Sequence, residues 1–248
     1  MPRYLPVDDI INRAAVECGL LPSSSPVTDP DETYVQMVGL LNSAGQELID
    51  IFPWQELVKT YSINTTQADS GTYNLPDDFN YMIDQTGWDR TNKVAMGGPL
   101  SAQDWTYLEG RDLVSQSIYA SFRQVDGKLD LYPQPPPDDL NITFEYISRN
   151  WLADQGQSEA NRDTVGAGSD TCILDPLLMI KFLKLKFQQA KGFDASAAGL
   201  EFETMLNSRT GKNTGAPILS ASNSGRGFPY LSPYYNIGDT GYGGGGVP

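Results

Sequence analysis

At 248 residues the chain is long enough for one medium domain or a domain with appendages, and a 40% apolar fraction with 13 Tyr, 9 Phe and 4 Trp can fill a core. Seventeen basic against 31 acidic residues leave a net charge of −14 and a pI near 4.3, which argues against sequence-specific DNA recognition, since that needs clustered phosphate-neutralising Lys and Arg. The absence of histidine removes Ser-His-Asp and Cys-His catalysis, His-based zinc sites and a side chain titrating near neutral pH.

The first predicted element is a short helix opened by Asp8 or Asp9, with Ile10, Ile11, Ala14, Ala15 and Cys18 on one side and Gly19 as its C′ residue. A Ser/Pro loop over Pro22–Pro30 follows. From Asp31 to Phe52, the residues Tyr34, Met37, Val38, Leu41, Ala44, Leu48, Ile51 and Phe52 fall within about 140° of arc. That stripe predicts a helix about 33 Å long, ended by Pro53. Gly45 lies inside it, where a helix cost of about 1 kcal/mol relative to Ala implies close approach of another backbone.

Beyond Trp54 the hydrophobic period switches from 3.6 to 2. Strands are predicted at Val58–Asn64, Asn80–Asp89, Tyr119–Val125, Lys128–Tyr132 and Leu140–Ser148, with Asp126-Gly127 as a type I′ hairpin turn. Pro133–Pro137 is too proline-rich for a sheet interior and reads as a connector at its edge. The run Tyr73–Trp105 is dense in turn signals and aromatic anchors. Leu75-Pro76-Asp77-Asp78-Phe79 forms a turn, and Trp88-Asp89-Arg90 closes a strand with a large anchor and an ion pair. Gly97-Gly98-Pro99 breaks the chain, and Ser101 caps a short helix carrying Trp105. Trp88, Arg90 and Trp105 are therefore candidate interface or core anchors. This central block is acidic and carries most of the chain's negative charge.

Asn150–Ser169 is polar and Gly-rich, as an exposed loop would be. Asp175 then caps a second long helix with Pro176 in its first turn. Its Leu178, Ile180, Phe182, Leu183, Leu185, Phe187 and Ala190 leave only a narrow polar strip of Lys181, Lys184, Gln188 and Lys191. That strip can face DNA phosphates or an acidic neighbour, although a solvated face needs no function. Gly192 stops the helix, and Ala195–Arg209 completes a helical hairpin. Residues 211–248 differ in kind: ten Gly, four Pro and four Tyr with only three charges cannot bury enough to offset their ordering entropy. The segment is either a disordered tail or an arm whose Phe228, Pro229, Tyr230, Leu231, Tyr234 and Tyr235 dock on a partner.

Nothing in the chain has the pattern of a catalytic, cofactor-binding or metal site. The acid pairs Asp77/Asp78 and Asp138/Asp139 sit in turns, and Glu201/Glu203 lies on an exposed helix, whereas glycoside hydrolysis sets two carboxyls roughly 5–10 Å apart across a cleft. No phosphate-binding glycine loop occurs. Cys18 and Cys172 lack metal or redox spacing, so reduced buried thiols are expected, with a bridge between them left open. Neither a leader-like N-terminus nor an apolar run long enough to span a membrane is present, and folding in a cytoplasm is expected.

Five segments carry a resemblance: Asp9–Leu20 (DIINRAAVECGL), Leu40–Lys59 (LLNSAGQELIDIFPWQELVK), Tyr73–Trp105, Lys128–Trp151 and Leu174–Asp194. In their order and texture the chain resembles the head–tail adaptor (head-completion or connector, tail tubular protein A-like) family of tailed, especially short-tailed, bacteriophages. The likeness spans about residues 8–205, contains no catalytic motif and leaves the C-terminal tail uncovered. It implies a structural virion protein of the head–tail junction, assembled in the host cytoplasm. Such a protein forms a ring of itself, twelve subunits in most such phages, beneath the portal protein. The ring lines the passage of double-stranded DNA and offers a docking platform to tail nozzle, tail tube and tail fibre proteins. A terminal segment reaching into the portal is also implied, and the Gly/Tyr/Pro-rich arm is its candidate.

Helices at both ends with strands between them predict an α+β fold. A discontinuous helical bundle would be built from residues 1–52 and 172–210, with an inserted antiparallel β-rich domain over 53–150. A loop over 151–171 and an extended C-terminal arm over 211–248 complete the expected organisation. The competing functional reading is a tail-associated carbohydrate-binding or glycan-hydrolysing module, using loop carboxylates and exposed Trp54, Trp88, Trp105 and Trp151.

Overall fold

The computed structural model describes residues 4–111, 121–155, 157 and 159–213. Strand β1 (Leu5–Pro6) runs into helix α1 (Val7–Glu17), followed by α2 (Glu32–Ile51). A 3-10 turn (Gln55–Leu57) leads to β2 (Val58–Asn64), β3 (Thr72–Asn74), β4 (Phe79–Met82), β5 (Trp88–Asp89) and β6 (Val94–Ala95). Helix α3 (Ala102–Arg111) precedes β7 (Ser121–Val125), β8 (Lys128–Tyr132) and β9 (Asn141–Ser148). Then come β10 (Leu152–Ala153), β11 (Thr171–Cys172), α4 (Pro176–Ala190) and α5 (Ser196–Asn213). The fold is mixed α+β with antiparallel sheets. Its described residues gather into two compact units, 4–58 with 147–213, and 59–146.

In the first unit α4 packs against α1, α2 and α5. Its buried residues Leu178, Met179, Ile180, Phe182, Leu183, Leu185 and Phe187 run nearly all round the axis, so neighbours on several sides are needed to cover it. Asp175 accepts from the Leu178 N–H at 3.0 Å, with Pro176 at the first helical position. At the other end Gly192 (φ 73°) and Phe193 donate to the carbonyls of Gln189 and Gln188, the reciprocal pattern of a Schellman stop. Helix α1 ends in the same way at Gly19 (φ 79°), with Gly19 and Leu20 donating to Val16 and Ala15. The start of α1 departs from expectation. It begins at Val7 with no side-chain cap, because the carbonyls of Asp170 and Gly168 accept from the N–H groups of Val7 and Asp8 at 2.8 and 3.0 Å. Asp170 is itself fully buried, and its carboxylate accepts from the Gly166 and Ala167 N–H groups at 2.8 and 2.9 Å.

The stretch between β9 and α4 contributes more than a connection. Strands β10 and β11 form a three-stranded antiparallel sheet with β1, in the order β1-β11-β10. Two-residue strands have no readable period, which is why the sequence pattern does not reveal them. In α2 the buried face centres on Leu41, Gly45 and Leu48, so Ile49 is buried whereas Ile51, expected in the stripe, is 49% exposed. The close approach at Gly45 comes from a side chain rather than a backbone: a Cβ there would lie 2.2 Å from the indole of Trp151. That ring is fully buried, with its Nε1 donating to the Asp163 carbonyl at 2.8 Å.

In the second unit β9 is the central strand of a five-stranded sheet ordered β2-β9-β5-β6, with β4 also paired to β9. Only Glu145 of β9 is exposed, consistent with a strand covered on both faces. A second sheet is ordered β3-β8-β7. Its β7–β8 hairpin turns at Asp126 (φ 53°) and Gly127 (φ 67°), both left-handed as a type I′ turn requires. Ile63, Phe122, Leu129, Leu131, Ile142, Phe144 and Tyr146 form the core. The single strand expected over Asn80–Asp89 is two, β4 and β5. A turn interrupts it, with Gln85 at φ 63° and Thr86 Oγ1 donating to the Ile83 carbonyl at 2.6 Å. Tyr119 of the expected Tyr119–Val125 strand lies outside the described residues.

Candidate functional site

One carboxylate of each loop pair holds the surrounding structure together. Asp78 accepts from Lys59 Nζ at 2.7 Å and from the Tyr146 hydroxyl at 2.9 Å, and burial followed by this bond raises the pKa of that hydroxyl. Asp138 accepts from the Gln67 N–H, and Asp130 binds Arg123 at 3.0 Å and Thr72 at 2.8 Å. Among the described residues no group of His, Cys, Asp and Glu is placed to hold a metal. Cys18 and Cys172 are both free; Cys172 is wholly buried, which pushes its thiol up to about 12. No described helix is long and apolar enough to cross a membrane.

The tryptophans expected to be exposed are mostly interior. Trp54, Trp105 and Trp151 are at most 3% exposed, which leaves them no ring face for stacking a sugar. Trp105 donates from Nε1 to Glu109 Oε1 at 2.7 Å and lies under the Arg123 guanidinium, 4.3 Å from the ring centroid. The Arg123–Asp130 pair thus fixes α3 over β7 and β8 through the indole. Trp88 is half-buried. Arg90 approaches its ring at 6.0 Å and donates to Thr143 Oγ1 at 2.7 Å, in place of the ion pair expected with Asp89. Asp89 instead accepts from the Thr91 and Asn92 N–H groups, because its side chain closes the turn after β5.

The polar strip of α4 is present but largely neutralised. Lys181 reaches Glu17 at 2.9 Å and Glu201 at 3.3 Å, and Lys184 reaches the same two carboxylates at 3.4 Å. The bond to Glu17, more than any other contact, raises the Lys181 pKa, and the Lys181 bond leads the causes that lower Glu201. Lys191 is exposed, with its Nζ 5.4 Å from the Phe187 ring. This network therefore staples α4 to α1 and α5 and leaves little net charge for a DNA phosphate. Lys186, not part of the expected strip, binds Glu47 of α2 at 2.7 Å.

Two apolar grooves flank the network. One, about 430 Å³, lies between α1 and α4 and is lined by Arg13, Val16, Leu177 and Ile180; the other, about 520 Å³, runs along α5 past Leu200 and Met205. Val16, Leu177 and Leu200 are 56%, 46% and 67% exposed, large apolar groups left in water on one side of the unit. The sequence pattern missed them because it shows which positions are apolar, not which of them a neighbouring helix fails to cover. The candidate arm residues Phe228, Pro229, Tyr230, Leu231, Tyr234 and Tyr235 lie outside the described residues.

A family model described as SU10 adaptor protein matches residues 5–224, which include both compact units. No curated protein matches the chain.

Proposed function

Because this chain belongs to the SU10 adaptor protein family, and is thereby a structural bacteriophage protein, we propose that it assembles into a ring joining the portal to the tail. The observation that carries this reading is the family match over residues 5–224, which takes in every described element. In this reading the helical unit forms the ring wall. The β-rich unit, with its Trp88 and Arg90, offers the docking platform to tail proteins. The arm, through Phe228, Pro229, Tyr230, Leu231, Tyr234 and Tyr235, engages the portal. Trp105 acts as an internal anchor of the platform, and Lys181 and Lys184 act within the wall through Glu17 and Glu201.

The charge suits a passage for DNA. At −14 per copy a ring is strongly anionic, and a lumen of that sign repels duplex rather than gripping it, over the roughly 8–10 Å that physiological salt allows. The membership favours a structural over an enzymatic role. Electron microscopy and native mass measurement of the purified protein, alone and with portal, test the reading. A closed ring with a central hole, about twelve copies on the portal, is the expected result. Failure to form a ring even when bound to portal would overturn it.

A further inference from the structure

An exposed face of α2 around Gly39 and the groove between α1 and α4 each lack something that the other can supply. Leu177, in the groove, and Lys186, which binds α2, are nine residues apart on α4, about half a turn around its axis at 100° per residue. The groove therefore opens on one side of α4 and α2 packs on the other. On the outer face of α2, Glu32, Val35 and Gly39 follow at helical spacing, all exposed, with Val35 at 61%. A Cβ built on Gly39 would meet nothing within 4 Å among the described residues, so no contact there accounts for a glycine. A mid-helix glycine costs roughly 1 kcal/mol, and the space it opens is on the outside.

The two surfaces are complementary, because Glu17 on the groove wall is already paired with Lys181 and Lys184. Val35 beside Gly39 makes a ridge with a gap; Val16 and Leu177 make a groove with walls. The acidic Glu32 precedes Val35 by three residues, and the basic Arg13 precedes Val16 by three, neither having an ion-pair partner among the described residues. Two unlike patches on one unit define a head-to-tail contact, the kind that generates a ring when the rotation closes. We propose that the Glu32–Val35–Gly39 face of α2 of one copy seats in the α1–α4 groove of a second copy, with Val35 against Val16 and Leu177 and Glu32 towards Arg13. This rests on the ring reading above and names the two surfaces that would build it.

The test uses the full chain carrying either Val35→Asp or Leu177→Asp. Both positions are exposed and lie in the first turn of their helices, where an acidic side chain suits the helix dipole and the fold is retained. Circular dichroism checks this, and sedimentation velocity with electron microscopy, alone and on portal, reads assembly. Each variant by itself is expected to lose the ring. An equimolar mixture is expected to stop at dimers, since each pair keeps one intact ridge and one intact groove. Wild-type-like rings from either variant would overturn the inference while leaving the ring reading intact. Loss of assembly in both variants without dimers in the mixture would also overturn it. A wild-type chain that never closes a ring, alone or on portal, would overturn both. Val35→Ile and Leu177→Met, which keep the apolar surface, are expected to assemble as wild type.

Discussion

Six residues apart in α2, Gly39 and Gly45 have opposite surroundings and should respond oppositely to the same substitution. Alanine at Gly45 would push a methyl into the Trp151 indole, 2.2 Å away, in a fully buried site. Overpacking of that kind costs about 1–3 kcal/mol, enough to cancel the gain of about 1 kcal/mol in helix propensity. Alanine at Gly39 meets no atom of the described residues and should stabilise the isolated chain by about 0.5–1 kcal/mol. Urea unfolding of the two variants decides the matter, and the same sign for both would contradict the packing described. A glycine within an apolar stripe was legible in the sequence, and so was the need for close approach. The identity of the visitor was not, because Trp151 is distant along the chain and only tertiary packing brings its ring to α2. Lys181 and Glu17 pose the same problem across a separation of 164 residues.

Elements were the most legible scale where their signals are local. The helix cap at Asp175, the Gly19 and Gly192 stops, and the Asp126-Gly127 turn each depend on a few adjacent residues, and each forms as those residues dictate. The broken strand around Gln85 and the two-residue strands β10 and β11 escaped because pairing, rather than local pattern, creates them. Contacts between elements carry a pH dependence. Lys186 binds Glu47 and, through that hydrogen bond first, holds its carboxyl below the ordinary 4.5. A carboxyl depressed by folding contributes stability that is full above about pH 4.5 and is lost as pH falls through the lower folded value. Glu47 is half exposed, so screening limits the pair to about 0.5 kcal/mol. Lys186→Met should therefore cost about 0.5 kcal/mol more at neutral pH than at pH values below the folded pKa, where only the contacts of Lys186 with Ser43 and the Phe182 ring remain to be lost. Urea midpoints measured across the acid range check this, and a pH-independent difference would refute it. Lys181 behaves in the opposite sense: its raised pKa gives a contribution present below 10.5 and lost at pH above the raised value.

At the scale of the whole molecule, the point at which the arm leaves the helical unit matters. Helix α5 continues to Asn213, whose side chain accepts from the Gln55 N–H at 3.0 Å and donates to Glu56 at 2.8 Å. Cutting at residue 211 would remove these bonds from the helical unit. Truncation after Asn213 keeps them, and should weaken portal binding at least tenfold while leaving the thermal unfolding of the helical unit unchanged. Portal affinity equal to wild type, measured by surface plasmon resonance, would rule out the arm as the docking element. The sequence by itself determined the mixed α+β class, the positions of the long helices and the hairpin, and the absence of histidine chemistry. Periodicity, capping and composition are properties of neighbouring residues, so they survive without coordinates. Tertiary structure alone decided which apolar groups remain uncovered, that Lys181 and Lys184 are spent on Glu17 and Glu201, and that three of four tryptophans are interior. Burial and pairing are set by residues far apart in the chain, and no local pattern encodes which of them will meet.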